Sequence, residues 1–564
     1  MERERHARAI SFAFTALVVA GSLALLVASL LRTTDFDFDE SNTLRISAQS
    51  VPDIFGILRL EQNFPLYYLV THGLLQLGVA AIKVFNFTCW LGTVYLARKI
   101  LRFYFERALA LGLLVLCFAS IPYLFRYGFF LRMYGVLDLA IAAQIYLLLE
   151  SQAAGIRPRA LLRVATLACT LLHPIGIVVS IAMTVVECVI RKQLRPLAFG
   201  ALNLLAFAAM LWMKSDVHRI YLGTGVDYIH TLGVGLAFNG PAYYETAIYN
   251  LKEGFLGWYE YVIFIVCQFT ALYAFLTLRL YREPRYLVLW IPAGCFVGVP
   301  ILLSGSFADH HTACFLVPFS LLLLTCLGES ARVDSLGKYA TLALAVLFAI
   351  VSFGTPKLGH AFFRITVANA ALFLAIIAAV ALLALVPRPV VRTPRVLLAY
   401  AVPFLAIAFA THVKLVGSQV RLSLIIAAHQ DDACESLGRL SSDDAVLTTF
   451  TFYNPITACA GEARPRIFLL ENRSIFDTSA LSPTEMLEEQ ARRGGIIDAP
   501  SSFVSFLETT PGIFDAAIAA RPRHVVLYYP FSGCTWGPAL GSLAIRGYRF
   551  DRCDDPGIFV FQHG

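Results

Sequence analysis

Residues 33–44, TTDFDFDESNTL, set three aspartates and a glutamate directly behind the apolar run at 10–31. In an extended chain Asp35, Asp37 and Asp39 face one way and Phe36 and Phe38 the other, so the rings can anchor at a lipid interface while the acids face water. From Glu40 onward, ESNTLRISAQSV reads as a short amphipathic helix with Leu44, Ala48 and Val51 along one face. A purely structural reading makes Asp39 the N-cap of that helix and Glu40 a favourable charge near its dipole. That reading gives no reason for an Asp-Glu pair at the rim of a helical bundle. On spacing alone, the catalytic and the structural readings stand level.

Other polar groups invite the same question. Asp309, His310 and His311 offer ligands for a divalent metal, but adjacent histidines lack the i, i+4 spacing that sets two ligands on one helix face, and a polar loop is the plainer reading. His173, before Pro174, reads first as a turn residue. The segment 214–256, which begins at Lys214, is rich in Tyr, Gly and Asn. It suits either a sugar-binding flap or an interfacial aromatic belt.

The elements that must position these residues follow from composition. Of 564 residues, 58% are hydrophobic and 15% charged, against about 25% charged in a soluble domain; the mean hydropathy is +0.69. The net charge of +7 lies in short basic clusters between apolar runs, an orientation signal rather than a nucleic-acid surface. No Walker loop, dinucleotide fingerprint or paired CxxC is present, so nucleotide and zinc chemistry gain no support.

Apolar runs near bilayer length fall at 10–31, 79–97, 108–124, 133–149, 160–173, 175–190, 197–213, 257–278, 286–303, 312–328, 339–354, 366–386 and 396–412. The fifth and sixth share one stretch broken at His173-Pro174, where proline lacks a backbone donor, so a tight helical turnaround is expected. Thirteen spans place the termini on opposite sides. Alternate loops carry the arginines and lysines (Arg98, Lys99 and Arg102; Arg157, Arg159 and Arg163; Arg279, Arg282 and Arg285), while 174–175 and 304–311 carry none. The positive-inside rule then puts the N-terminus in the cytoplasm and the acidic stretch outside it. A retained first helix is preferred to a cleaved signal peptide, because ASLLRTT is a poor cleavage site.

Beyond Val413 the pattern changes. DDAVLTTFTFY, RPRIFLLE, RPRHVVLYYP, GYRFDRC and GIFVFQHG read as strands, with polar helical segments such as SPTEMLEEQARR between them. The expected fold is thus a polytopic α-helical membrane domain over 1–412, with a first outer loop at 33–78 and a long outer loop at 214–256, followed by a periplasmic α/β domain over 413–564. Cys434, Cys459, Cys534 and Cys553 lie in that tail. An oxidising compartment allows them two disulfides in three connectivities, with buried thiols as the alternative.

Several short motifs occur in a fixed order: Asp39-Glu40, then Pro65-Leu66-Tyr67-Tyr68, Arg132-x-Tyr134 in FFLRMYGVLDL, His173 in LLHPIG, and ADHHTACFLVPFSLLLL. In that order and on one side of the membrane, they resemble the GT-C glycosyltransferases, in particular the protein O-mannosyltransferase and aminoarabinose-transferase group. The resemblance covers about the first 330 residues in order, and the tail resembles the group's extracytoplasmic α/β appendage. Two departures stand out. Asn63-Phe64-Pro65 replaces a lysine followed by two prolines, and His310 and His311 occupy a region where the group often has arginine or tyrosine.

The resemblance implies an enzyme of the bacterial inner membrane that moves a sugar from a polyprenyl-phosphate donor to a lipid A, glycan or protein acceptor. It assigns Asp39 as general base, with Glu40 orienting it or holding a metal or the acceptor. It gives the donor phosphate to Arg132 first and Arg126 second, since a planar guanidinium fork suits phosphate oxygens. Lys214 stands in reserve. It adds Tyr134, Pro65, Tyr67, Tyr68, His173 and His311 to the substrate-binding set. No cofactor is implied with certainty, and a divalent metal is left open. The competing reading is a transporter or lipid flippase with a partner-binding tail. Such a protein would carry its working ionisable groups within the spans, where Asp138 and Glu187 are the candidates.

Overall fold

The computed structural model describes residues 2–30, 38–59, 64–105, 108–119, 131–155, 160–173, 176–213, 269–302 and 313–330, and within the tail chiefly 434–448, 465–471, 474–478, 514–528, 545–554 and 558–564. The chain forms two compact units. One comprises Met1–Leu25, Val84–Met210 and Asp227–Gln419; the other comprises Leu26–Lys83, Leu211–Val226 and Val420–Gly564.

Helices follow the apolar runs closely. In chain order they are α1 (Glu2–Leu30), α2 (Phe38–Ser47), α3 (Val51–Leu58), α4 (Pro65–Leu75), α5 (Val79–Leu101), α6 (Ala108–Ala119), α7 (Tyr134–Ala153), α8 (Ala160–Leu172), α9 (Gly176–Arg191), α10 (Pro196–Met213), α11 (Pro284–Leu302) and α12 (Ala313–Glu329). Among the described residues, Phe12–Leu30, Val79–Leu101, Tyr134–Ala153 and Pro196–Met213 are long and apolar enough to cross a membrane. The expected runs at 339–354, 366–386 and 396–412 lie outside the described residues. Side chains such as Phe12, Leu205 and Trp212 are 75%, 69% and 83% exposed, which water would penalise and hydrocarbon would not. The chain is a multi-pass membrane protein.

Within the first unit α7 is the central helix, packed by α8, α9, α11 and α12. The expected break at His173-Pro174 is present: α8 stops at Leu172 and α9 begins at Gly176. A Cβ on Gly176 would sit 1.8 Å from the Cys169 carbonyl oxygen, so the turnaround admits only glycine. Below it the Ser180 hydroxyl donates to the Thr166 carbonyl at 2.9 Å, and the Thr170 hydroxyl donates to Ser180 Oγ at 3.2 Å. At the far end of the hairpin, Arg163 grips Glu187 with two bonds of 2.6 and 2.7 Å, and Arg191 adds a contact at 3.3 Å. Glu187 is only 2% exposed, and its carboxylate holds both arginines. Glu187→Ala is expected to cost about 1.5–3 kcal/mol, the range for charged hydrogen-bonding groups that lose their partner. The measure is the melting temperature of the detergent-solubilised protein.

The tail folds around a six-stranded mixed sheet of order β3-β2-β1-β4-β6-β5. The strands are β1 (Ala445–Thr448), β2 (Arg466–Glu471), β3 (Ser474–Asp477), β4 (His524–Tyr528), β5 (Tyr548–Asp554) and β6 (Ile558–His563). Central β1 runs parallel to β2 and β4, and both β1 and β4 are almost continuously apolar and buried, as strands covered on two faces must be. The outer pairings are antiparallel. Edge strand β5 carries Asp551, Arg552 and Asp554 in local ion pairs, charges that discourage edge-to-edge association. All five strands expected from the sequence are present. β3 was not expected; it is a four-residue hairpin return onto β2, anchored by the Arg466–Asp477 ion pair. Cys434 and Cys459 form a disulfide. Cys553 is disulfide-bonded as well, whereas Cys534 lies outside the described residues, as does the expected helix at SPTEMLEEQARR apart from Glu485.

Candidate active site

The segment between α1 and α5 contributes three short helices to the second unit. Lys83, buried at the start of α5, donates to the Ser29 carbonyl in the last turn of α1 at 2.7 Å. This satisfies one of the carbonyls a helix end leaves without an intrahelical partner. The bond ties together the two ends of the segment that holds α2, α3 and α4.

Helix α2 begins at Phe38 rather than Glu40, so Asp39 stands inside the first turn instead of capping it. An acid there remains favourable to the helix dipole. The Asp39 side chain lies outside the described residues, while that of Glu40 is 4% exposed. The expected apolar face is not the buried one. Leu44 is half-buried and Ala48 and Val51 are exposed, whereas Asn42, Thr43, Ile46 and Ser47 are buried. Two causes account for this. The chain leaves the helix after Ser47 and starts a second one at Val51, where Ser50 accepts the Asp53 amide, so a single helical period does not run through. The neighbour that covers α2 is also polar at the contact: Ser47 and Thr71 share a hydroxyl–hydroxyl bond of 2.5 Å, and His72 Nδ1 donates to the Ser47 carbonyl at 2.8 Å.

Pro65 opens α4 at a position where its missing amide costs nothing. Tyr67 and Tyr68 are both buried, with ring centroids 6.3 Å apart in an edge-on arrangement. Ser47, Thr71, His72 and Lys83 were not singled out from the sequence. His72 lies at i+4 from Tyr68 and i+7 from Pro65, and that helical spacing was the available signal.

In the first unit, Arg132 (5% exposed) precedes α7, and Tyr134 is its first residue. Buried His173 follows the end of α8, and its ring stands 5.9 Å from that of Tyr134. Two motifs separated by 39 positions in the chain (173 − 134) therefore meet. Arg126, Lys214 and His311, with the loop at 214–256, lie outside the described residues. Among the described residues no group of three or more His, Cys, Asp or Glu side chains is placed to hold a metal ion.

These features define a multi-pass helical membrane protein with a C-terminal mixed-sheet domain. The particular fold is that of ArnT. The crystal structure of ArnT from Cupriavidus metallidurans bound to undecaprenyl phosphate matches with a TM-score of 0.51 and 13% sequence identity, over 98% of this chain and 98% of that one. The crystal structure of the same protein in the apo state gives 0.47 and 14%, over 98% of each chain. The fold assignment rests on the first, and it agrees with the GT-C fold that the order of motifs implies. No protein-family model and no curated protein sequence matches the chain.

Proposed function

We propose that the protein is an integral-membrane glycosyltransferase that takes a sugar from a polyprenyl-phosphate donor and passes it to a lipid, glycan or protein acceptor at the outer face of the cytoplasmic membrane. The observation that carries this reading is an end-to-end fold match to a protein crystallised with undecaprenyl phosphate. The same motif order in the sequence supports it.

In the proposed reaction an acceptor hydroxyl attacks the anomeric carbon. The new glycosidic C–O bond forms as the bond from that carbon to the phosphate oxygen breaks. Asp39 takes the hydroxyl proton, with buried Glu40 holding its orientation. The electron pair leaves on the lipid phosphate, whose developing charge Arg132 stabilises. Tyr134 and His173, which meet near Arg132 in the first unit, and Pro65, Tyr67 and Tyr68 of α4 in the second are assigned to substrate binding. An acceptor that is itself an ionised phosphate would need the base less. The test is sugar release and transfer by purified protein in lipid nanodiscs across a panel of polyprenyl-phosphate sugars; no turnover with any donor and acceptor would overturn the reading.

One observation favours a second reading. A transporter keeps ionisable groups inside its spans, and Glu187 is already committed to its arginines. Asp138, in the second turn of α7, is buried with neither carboxyl oxygen hydrogen-bonded. Asp138→Asn is expected to leave sugar release unchanged. Substrate movement across liposomes that needs Asp138 and proceeds without sugar release would favour the transporter.

A further inference from the structure

Helices α2, α3 and α4 span 10, 8 and 11 residues, each below the roughly 12–15 residues at which an isolated helix becomes even marginal in water. Their arrangement must therefore come from packing. The polar seam of Ser47, Thr71 and His72 joins α2 to α4, but α3 is strongly apolar and adds Ile54, Ile57 and Leu58 to the interior. Those side chains meet Ile46 of α2 and Tyr68 of α4 in one cluster, and the remaining fully buried member is Leu469 of strand β2, with Leu69 and Leu481 at its margin. The preceding β2 residues, Ile467 and Phe468, belong instead to the tail's own core, with Val446, Val526 and Phe561. Leu469 is the point at which the rigid sheet enters the loop cluster.

We infer that Leu469 is a positioning residue: strand β2 of the tail holds α2, and with it the Asp39-Glu40 pair, in its working place. The inference rests on the glycosyltransferase reading for its catalytic consequence, though not for its structural part. β2 is itself clamped between β1 and β3, so it offers a fixed surface to three helices that lack one of their own. A displacement of about 1 Å at a reacting group costs on the order of 10²-fold in rate. The tail is thus part of the catalytic apparatus, acting through a side chain that touches no substrate.

The test uses the full-length protein in nanodiscs and compares Leu469→Ala with Val526→Ala, which opens a cavity in the tail core away from the loop cluster. Hydrogen exchange over residues 38–58 is read alongside kcat and the KM for donor. Leu469→Ala is expected to speed exchange in that segment about tenfold or more, because a Leu→Ala cavity weakens the packing that protects it. It should also lower kcat by about 10–100-fold with little change in KM. Leu469→Met, which restores volume, should recover both, and Val526→Ala should leave both near wild type. Unchanged exchange and kcat in a folded Leu469→Ala protein would overturn the inference. So would Val526→Ala reproducing both effects, since the loop would then be reporting general tail instability. If Leu469→Ala does not fold, Leu469→Val gives the same two readouts at smaller amplitude. Should wild type show no transfer with any donor, the functional reading fails, while the exchange data still decide whether β2 holds the loop.

Discussion

Asp39→Asn is expected to lower kcat by about 10²–10⁴-fold, the range general-base catalysis supplies, with donor KM nearly unchanged. Asparagine keeps the size of aspartate and can still sit in the first turn of α2, but it cannot take a proton. The prediction therefore separates chemistry from architecture. Asp35→Asn and Asp37→Asn, four and two positions upstream, should leave turnover near wild type, because those acids are read as solvated neighbours. Glu40→Gln should fall between the two. Its side chain is almost fully buried, so glutamine keeps the size while replacing the carboxylate to which the proposed mechanism gives the orienting of Asp39. The measurement is single-turnover sugar transfer in nanodiscs under saturating donor, with melting temperature as the control for folding. Equal turnover by Asp39→Asn and wild type on a hydroxyl acceptor would remove Asp39 from the mechanism. A phosphate acceptor gives an internal check, since its attacking oxygen is already ionised and the defect should shrink.

The helical framework was legible because it depends on the run length of apolar side chains, which a bilayer reads one segment at a time. The turnaround at His173-Pro174 was legible for a similarly local reason. In the tail, β1 and β4 announced themselves as apolar β-branched runs, whereas β3 did not. SIFD is four residues long, and its strand character comes from pairing with β2 rather than from its own pattern. The candidate site was legible as a set of residue types and less so as a geometry. The face of α2 was misread because its buried side is mixed: Ser47 meets a hydroxyl and an imidazole, while Ile46 enters an apolar cluster supplied by other elements. Tyr134 beside His173, Lys83 on the end of α1, and Leu469 among Ile46, Ile54 and Tyr68 are contacts between distant positions. No periodicity within one helix encodes them, and they follow only once the helices and the sheet are assembled.

Arg132→Ala is expected to reduce kcat by about 10²–10³-fold, the cost of removing one pre-set group from a developing anion. Arg132 precedes the first turn of α7, two positions before Tyr134, whose ring lies tilted against that of His173, and it is 5% exposed. A purely interfacial arginine would keep its head in water and leave only its stem covered, so this degree of burial speaks against simple snorkelling. Arg132→Lys is the sharper variant. Lysine retains the charge but offers a compact ammonium in place of a planar fork, and it cannot grip two phosphate oxygens side by side. Lysine should therefore recover only part of the lost rate. The defect should also follow the leaving group: a donor with a more acidic leaving group needs less stabilisation in the transition state, so it should lose less on Arg132→Ala than the lipid phosphate does. If both donors lose the same factor, Arg132 acts on binding or folding, and the leaving-group role passes to Arg126 or Lys214. Paired measurements of kcat and KM for the two donors, on wild type and both variants, decide between those outcomes.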